Sequence, residues 1–279
     1  MKFSLLREAL LKPLQLVVGV VERRQTLPIL SNVLLSIEDK RLSVTGTDLE
    51  VEIIGFTEVS DVDEGGQITV SALKIVDICR SFPEQAVINF ASGDGKAQVT
   101  SGRSRFSLAT LPASEFPSVE EGDHSIKLTI RANVIKDLID ATSFAMAQQD
   151  VRYYLNGMLW EVSSNNLRGV ATDGHRMARC DVACEVETAS TESAIIPRKA
   201  IMELSRLLTE DEIDISIGSN HIRITSSDFC FTSKLVDGAY PDYERVMPKE
   251  GEKLILGNRE ELRQGFSRTA ILSNEKFKG

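Results

Sequence analysis

The chain repeats itself with a period of about 125 residues. Leu30 and Leu34 in LPILSNVLL return as Leu155 and Leu159 in YYLNGMLW. Leu42, Thr47 and Asp48 in LSVTGTDLE return as Leu167, Thr172 and Asp173 in LRGVATDGH. Val70, Ile75 and Arg80 match Ile196, Ile201 and Arg206 at an offset of 126, and Phe106 matches Phe231 at 125. EFPS at 115–118 matches AYPD at 239–242. Such a period is domain-sized, far above the roughly 20–50 residues of a solenoid repeat. It predicts two similar domains in tandem, residues 1–124 and 125–251. KLTIRANVIKDLID at 127–140 begins again as KLILGNREELRQGF at 253–266. A third unit is therefore expected to open at 252–279, where only a fraction of one period is present. So short a start cannot bury a core. Residues after about 253 are expected to be mobile or to borrow packing, and the 279-residue chain to be monomeric or weakly associated.

Each copy reads as helix, strands, second helix, strands. Leu6, Leu10, Leu14, Val17, Val18 and Val21 fall at helical spacing, with Pro13 expected to kink or restart that helix. Val134, Ile135, Leu138, Ile139, Thr142, Ala145 and Met146 form the equivalent face in the second copy. Second helices are predicted over 72–82 and 198–208. Short alternating runs such as SNVLLSIE, LSVTG, GMLWEVSS and HIRITSS read as strands, about eight per copy. The fold class is therefore α+β, two helices per copy covering mainly antiparallel sheets.

Composition narrows the function. Hydrophobic residues make up 42% and charged residues 26%, ordinary for a packed core. No apolar run approaches the roughly 20 residues of a membrane span. MKFSLLREALLKPLQ reads as an amphipathic helix rather than a secretion signal. Cys79 and Cys230 sit in apolar patterns, and Cys180 and Cys184 lack the four-ligand spacing of a zinc site, so no metal or cofactor is expected and a reducing cytoplasm is the plain reading. The net charge of −9 opposes nucleic-acid binding taken alone. Yet on residues 7–24, 71–82, 131–146 and 197–208 Lys and Arg outnumber Asp and Glu by five. That excess is either the ordinary charge of solvated helix faces or a surface turned toward a polyanion. The second reading implies weak contact with duplex phosphates and no sequence preference.

TLPILSN, GTDLE, SGRSRFSLATLPASEFP, QDVRYYLNGML, VATDGHRMA, FTSKLVDGAYPDYERV and ILSNEKF together resemble the bacterial beta sliding clamps, over the entire chain. The resemblance implies tandem clamp domains, three per full-length chain, with two chains head to tail in a ring around double-stranded DNA. Helices line the hole and sheets form the shell. It implies a non-catalytic subunit that tethers the replicative polymerase, a nucleotidyltransferase as a holoenzyme. It assigns DNA contact to Arg24, Gln149, Tyr153 and Tyr154. Aromatic rings can stack bases without sequence preference, although partial core burial would equally explain two tyrosines. It assigns a pocket for short peptides of polymerases, clamp loader and repair polymerases to Leu155, Thr172, Gly174, His175, Arg176, Met177, Pro241, Arg245 and Val246. An apolar floor with an arginine rim suits such a groove. Many family members carry Leu where this chain has Met177, a more adaptable filler. It assigns the homodimer seam to Arg103, Arg105, Phe106 and Leu108 on one side and Ile271 and Leu272 on the other.

TDGHR also places Asp173 near His175, which suggests acid–base hydrolysis. No nucleophile motif accompanies the pair, and the first copy has TDLEV there without His. A structural turn is the better account. A stand-alone peptide-binding module is the other alternative, and a clamp differs from it in being retained on circular DNA. No GxxxxGK phosphate loop is present.

Overall fold

A computed structural model describes residues 1–21, 27–119, 124–186, 188, 190–209, 212–248 and 253–272. It divides into two compact units, Met1–Tyr240 and Pro241–Gly279. The first unit holds both copies of the repeat.

The first copy runs β1 (Lys2–Leu6), α1 (Arg7–Val17), β2 (Asn32–Glu38), β3 (Arg41–Thr47), β4 (Val51–Glu58), β5 (Asp61–Glu64), β6 (Gly66–Ser71), α2 (Ala72–Ser81), β7 (Val87–Gly93), β8 (Lys96–Ser101) and β9 (Ser104–Leu111). The second runs β10 (His124–Arg131), α3 (Ala132–Thr142), β11 (Gly157–Ser163), β12 (Asn166–Thr172), β13 (Met177–Ala183), β14 (Glu192–Pro197), α4 (Arg198–Leu207), β15 (Glu212–Gly218), β16 (His221–Thr225) and β17 (Phe229–Lys234). All strand pairs are antiparallel. Hence the α+β reading holds.

The chain start differs from its sequence reading. Lys2–Leu6 is a strand, not the first turn of a helix, because Phe3 and Leu5 alternate inward while Leu6 is exposed. β1 is fixed between β5 and β7. Pro13 sits inside α1 without ending it. α1 lies directly on β4, where a Cβ at Gly55 would come within 2.9 Å of Pro13. The missing side chain at Gly55 admits the proline ring.

Sheet order explains how the copies join. The order β4–β3–β2–β6 in the first copy recurs as β13–β12–β11–β14 in the second. The strands β9–β8–β7–β1 recur as β17–β16–β15–β10. β17 then pairs with β4 of the first copy, with Phe231 opposite Ile53 and Thr232 opposite Glu52. Thirteen strands thus form one continuous sheet across the repeat. The apolar core is also shared: Leu14, Ile53 and Ile75 of the first copy and Ile201, Ile224 and Phe231 of the second belong to one buried cluster.

Two ion pairs and a buried carboxyl lie at this junction. Lys12 Nζ lies 2.7 Å from Asp228 Oδ2. Lys199 Nζ lies 2.5 Å from the buried Asp48 Oδ2. Glu52 is buried in β4, where one oxygen accepts the Val119 N–H at 3.3 Å.

The second unit, by itself, contains a short 3-10 turn at Tyr243–Val246 and α5 (Arg259–Ala270). Asn258 caps α5, its Oδ1 accepting the N–H groups of Glu260 (2.9 Å) and Glu261 (3.2 Å). Residues 253–258 form no strand although they match β10 in sequence. β10 is held by β15, and among the described residues 253–258 have no such neighbour. No helix among the described residues is long and apolar enough to cross a membrane.

Burial pushes the Glu52 carboxyl upward, against the Val119 hydrogen bond and the Arg223 charge. A raised folded-state value gives stability that is fully present below the unfolded value and is lost as pH climbs through the folded one. Glu52→Gln keeps the acceptor and removes that loss. Urea unfolding should show the variant more stable than the parent at pH 7, with the difference closing as pH falls toward 4. A difference that does not change with pH contradicts this account.

Candidate functional site

The turn TDGHR connects β12 to β13, and its chemistry is that of TDLEV between β3 and β4. Thr47 Oγ1 donates to Val51 O at 2.9 Å, and Thr172 Oγ1 to Arg176 O at 2.7 Å. Asp48 Oδ1 accepts the N–H groups of Glu50 and Val51 at 2.9 and 2.7 Å. Asp173 Oδ1 accepts those of His175 and Arg176 at 2.9 and 3.0 Å. Leu49 and Gly174 both take left-handed φ, +78° and +85°. The turns are therefore one motif made twice, with Asp satisfying two backbone donors.

This arrangement answers the hydrolase alternative. Asp173 meets the backbone N–H of His175, while its second oxygen takes the Arg176 Nε at 3.0 Å. Burial raises its carboxyl, but these bonds from His175 and Arg176 outweigh that and hold it below its ordinary value. A carboxylate engaged in this way locks a turn, as its counterpart does in a copy lacking histidine.

Beside the turn lies the loop before β11. Asp150 accepts the Arg152 N–H at 2.8 Å and its guanidinium at 3.0 and 2.8 Å. That pairing lowers the Asp150 carboxyl to about 2. Asn156 exchanges two bonds with the Asp150 backbone, at 2.9 and 2.8 Å. Arg152 also donates to Asp173 O at 3.4 Å, which ties the loop to the turn. Gln149 takes a left-handed φ of +56° at the loop's start. Tyr153 is 57% exposed and meets Tyr154 edge to face, centroids 5.7 Å apart. Leu155 is buried. Tyr240 accepts the Thr172 N–H at 3.1 Å through its hydroxyl, and burial pushes that phenol up to about 12. The Arg176 guanidinium lies 5.8 Å from the centroid of the exposed Phe144 ring.

Thus Gln149, Tyr153, Tyr154, Leu155, Thr172, Gly174, His175, Arg176 and Met177 all belong to the first unit, on one loop and one turn joined by Arg152. Pro241, Arg245 and Val246 belong to the second unit, where Arg245 Nε lies 2.7 Å from Asp242 Oδ2 and Val246 is exposed. Arg24 lies outside the described residues. Arg152, Phe144 and Tyr240 were not singled out from sequence. A charged residue two positions after Asp150 was the one available sign of the loop's internal clamp.

Arg103, Arg105, Phe106 and Leu108 lie on or beside β9. Phe106 is 36% exposed, whereas Phe231, its repeat equivalent in β17, is fully covered. The cause is pairing. β17 lies between β16 and β4, while Ser104–Leu108 of β9 pair only with β8 among the described residues. Ile271 and Leu272, just after α5, are exposed.

At Gly174 an added Cβ would sit 3.2 Å from the Arg152 guanidinium, at a φ that L-residues disfavour. Gly174→Ala should cost about 1–2 kcal/mol in urea unfolding. An unchanged midpoint contradicts the close packing of loop on turn.

Comparison with known proteins places these features in a family. Residues 1–120 match the DNA polymerase III beta subunit, N-terminal domain, and residues 129–242 match its central domain. The beta sliding clamp of Pseudomonas aeruginosa is 58% identical over 100% of this chain and 77% of that protein. The beta sliding clamp of Escherichia coli K12 is 50% identical over 100% of this chain and 76% of its own length. The solved DNA polymerase III subunit beta of P. aeruginosa superposes with a TM-score of 0.97 at 58% identity, covering 99% of this chain and 76% of that one. A P. aeruginosa sliding clamp solved bound to griselimycin gives a TM-score of 0.96 at 57% identity, covering 100% and 76%. With both copies of the repeat matched in order by successive domains of one subunit, this chain belongs to the beta sliding clamp family, the beta subunits of DNA polymerase III.

Proposed function

We propose that the chain acts as a non-catalytic processivity clamp, part of a ring that encircles duplex DNA and holds the replicative polymerase, a nucleotidyltransferase, to its template. The contrast between β17 and β9 carries this reading. The same strand is buried where the next copy continues the sheet and exposed where none does. β13, the counterpart of β4, is likewise an edge strand. A protein with complementary faces at its two ends joins head to tail, and such an interface closes into a ring when the rotation allows. The domain limits 1–124, 125–251 and 252–279 follow from this repeat.

Three surfaces then take roles. Arg24, Gln149, Tyr153 and Tyr154 contact the DNA, with the exposed Tyr153 ring available for stacking. Contact is through backbone and base faces and reads no sequence. Leu155, Thr172, Gly174, His175, Arg176 and Met177 receive short peptides from the polymerase catalytic subunit, clamp loader and repair polymerases. Pro241, Arg245 and Val246 carry the same assignment by resemblance. The turn's hydrogen bonds preorganise that surface, and a 57% identical clamp is known with griselimycin bound. Arg103, Arg105, Phe106 and Leu108 meet Ile271 and Leu272 of a second copy in a homodimer. The work is done in the cytoplasm.

Retention on DNA tests the reading. The protein as its gene encodes it, loaded on nicked circular DNA, should remain bound, and linearising the DNA should release it. Equal loss from both forms contradicts the clamp. Met177→Glu should weaken a polymerase-derived peptide by about tenfold or more, since it places a charge in an apolar contact. Unchanged affinity by fluorescence anisotropy removes Met177 from the pocket.

A further inference from the structure

The thirteen-strand sheet ends in β10 on one side and β5 on the other, and the two ends are built differently. β1 and β10 are the same strand of the two copies. Each leads directly into its helix, with α1 starting at Arg7 and α3 at Ala132. That offset of 125 puts Lys127 on Lys2, Leu128 on Phe3 and Thr129 on Ser4. The inner neighbours correspond: β1 pairs with β7, and β10 with β15. The outer neighbours do not. β1 is covered by β5, whereas β10 pairs with β15 alone among the described residues. β5 is a short acidic strand, DVDE. Phe3 sits opposite Val62 and Ser4 opposite Asp61. Lys2 Nζ lies 2.5 Å from Asp63 Oδ2, Ser4 Oγ donates to Asp61 Oδ2 at 3.0 Å, and Val62 packs against the apolar core. Acids outward and valine inward is the alternation of a half-buried strand.

The second copy takes the matching segment elsewhere. At the same offset β5 falls on VETA at 186–189. Both copies hold the approach alike: the Val59 N–H donates to Lys40 O at 2.8 Å, and the Cys184 N–H to Asn165 O at 3.2 Å. Then the Val186 N–H donates to Ser164 O at 2.9 Å, which keeps Val186 on the turn between β11 and β12 instead of beside β10. The residues that hold β5 on β1 are nevertheless repeated on β10. Lys127 and Thr129 are exposed, and Lys127 makes no ion pair among the described residues. Thr129 Oγ1 donates to Asp214 Oδ1 of β15 at 2.6 Å, so the acid that Ser4 meets on β5 is supplied here by the inner neighbour. What β10 lacks is a strand with a carboxylate at Lys127 and an apolar side chain in the register of Val62.

We infer that the outer edge of β10 binds a short extended peptide of alternating acidic and apolar residues, added antiparallel with a carboxylate on Lys127, in the way β1 holds β5. Backbone pairing supplies the attraction, and the charge-assisted bond to Lys127 supplies selectivity. A lysine on an open edge also discourages indiscriminate pairing, so the strand that docks is one that brings the opposite charge.

The probe is a fluorescein-labelled synthetic peptide, VSDVDEG, the chain's own residues 59–65. It is added to the protein as its gene encodes it and followed by anisotropy and by amide hydrogen exchange. The peptide should bind, and exchange should slow in β10 while β1 and β5 stay unchanged. Lys127→Glu should weaken binding by about tenfold or more, the scale of a charge-assisted bond lost and reversed. A peptide carrying Asp63→Lys should bind that variant better than it binds the parent. Rescue by reversed charge is a result that a folding defect does not give, and thermal unfolding of the variant reports such a defect separately. Absence of binding up to about 1 mM peptide overturns the inference. Slowed exchange in β1 means the peptide has displaced β5, and overturns it as well. β10 amides pointing away from β15 that are protected before peptide is added show that the chain covers this edge itself. Slowed exchange in β10 with duplex DNA and not with peptide assigns the edge to nucleic acid. Either outcome overturns the inference.

Discussion

The pairing of β17 with β4 is the constraint on which the rest depends. It merges sheets from two copies into one and covers Phe231 completely. It also places Lys12 against Asp228 and confines Glu52. A β-strand whose outer edge is unsatisfied is a template for another strand. Here the template is used once inside the chain and offered again at β9.

The turns after β3 and β12 show how one local motif serves two ends. In the first copy Asp48 closes the turn and binds Lys199 of the second copy, so the turn becomes part of the junction. In the second copy Asp173 closes the same turn, and Arg152 pins a tyrosine-bearing loop against it. Asp150 is brought down to about 2 by its hydrogen bonds from Arg152. Asp181, raised by burial, is brought down to about 2 by Arg179, Arg168 and Asn166. The buried Cys79 thiol is pushed up to about 12 by desolvation, which leaves it unreactive as well as uncharged.

Much of this was legible in the residues. The period of about 125 placed equivalent helices in each copy, and α2 and α4 end one residue short of the predicted 82 and 208. Strand alternation identified β2, β3, β11 and β12. Lys2–Leu6 was misread because Leu6 continues the helical spacing of α1, and only pairing with β5 and β7 shows the strand. Joining of β17 to β4 was not legible, since period-2 alternation says which face is buried and not which neighbour lies alongside. At the site, the Thr–Asp signature disclosed the turn, whereas the Arg152 bridge and the Tyr240 cap depend on residues brought together only by folding. The third start was visible in sequence, yet 253–258 lacks the strand its counterpart forms, because a strand needs a neighbour.

The central claim is that β9 is the unfinished equivalent of β17. Amide hydrogen exchange followed along both strands over a concentration series of the protein as its gene encodes it tests this directly. Amides of β17 should be protected at every concentration, and the β9 amides that point away from β8 should become protected only as the protein associates. Exchange of those β9 amides that is independent of concentration, in a protein that demonstrably self-associates, would contradict it.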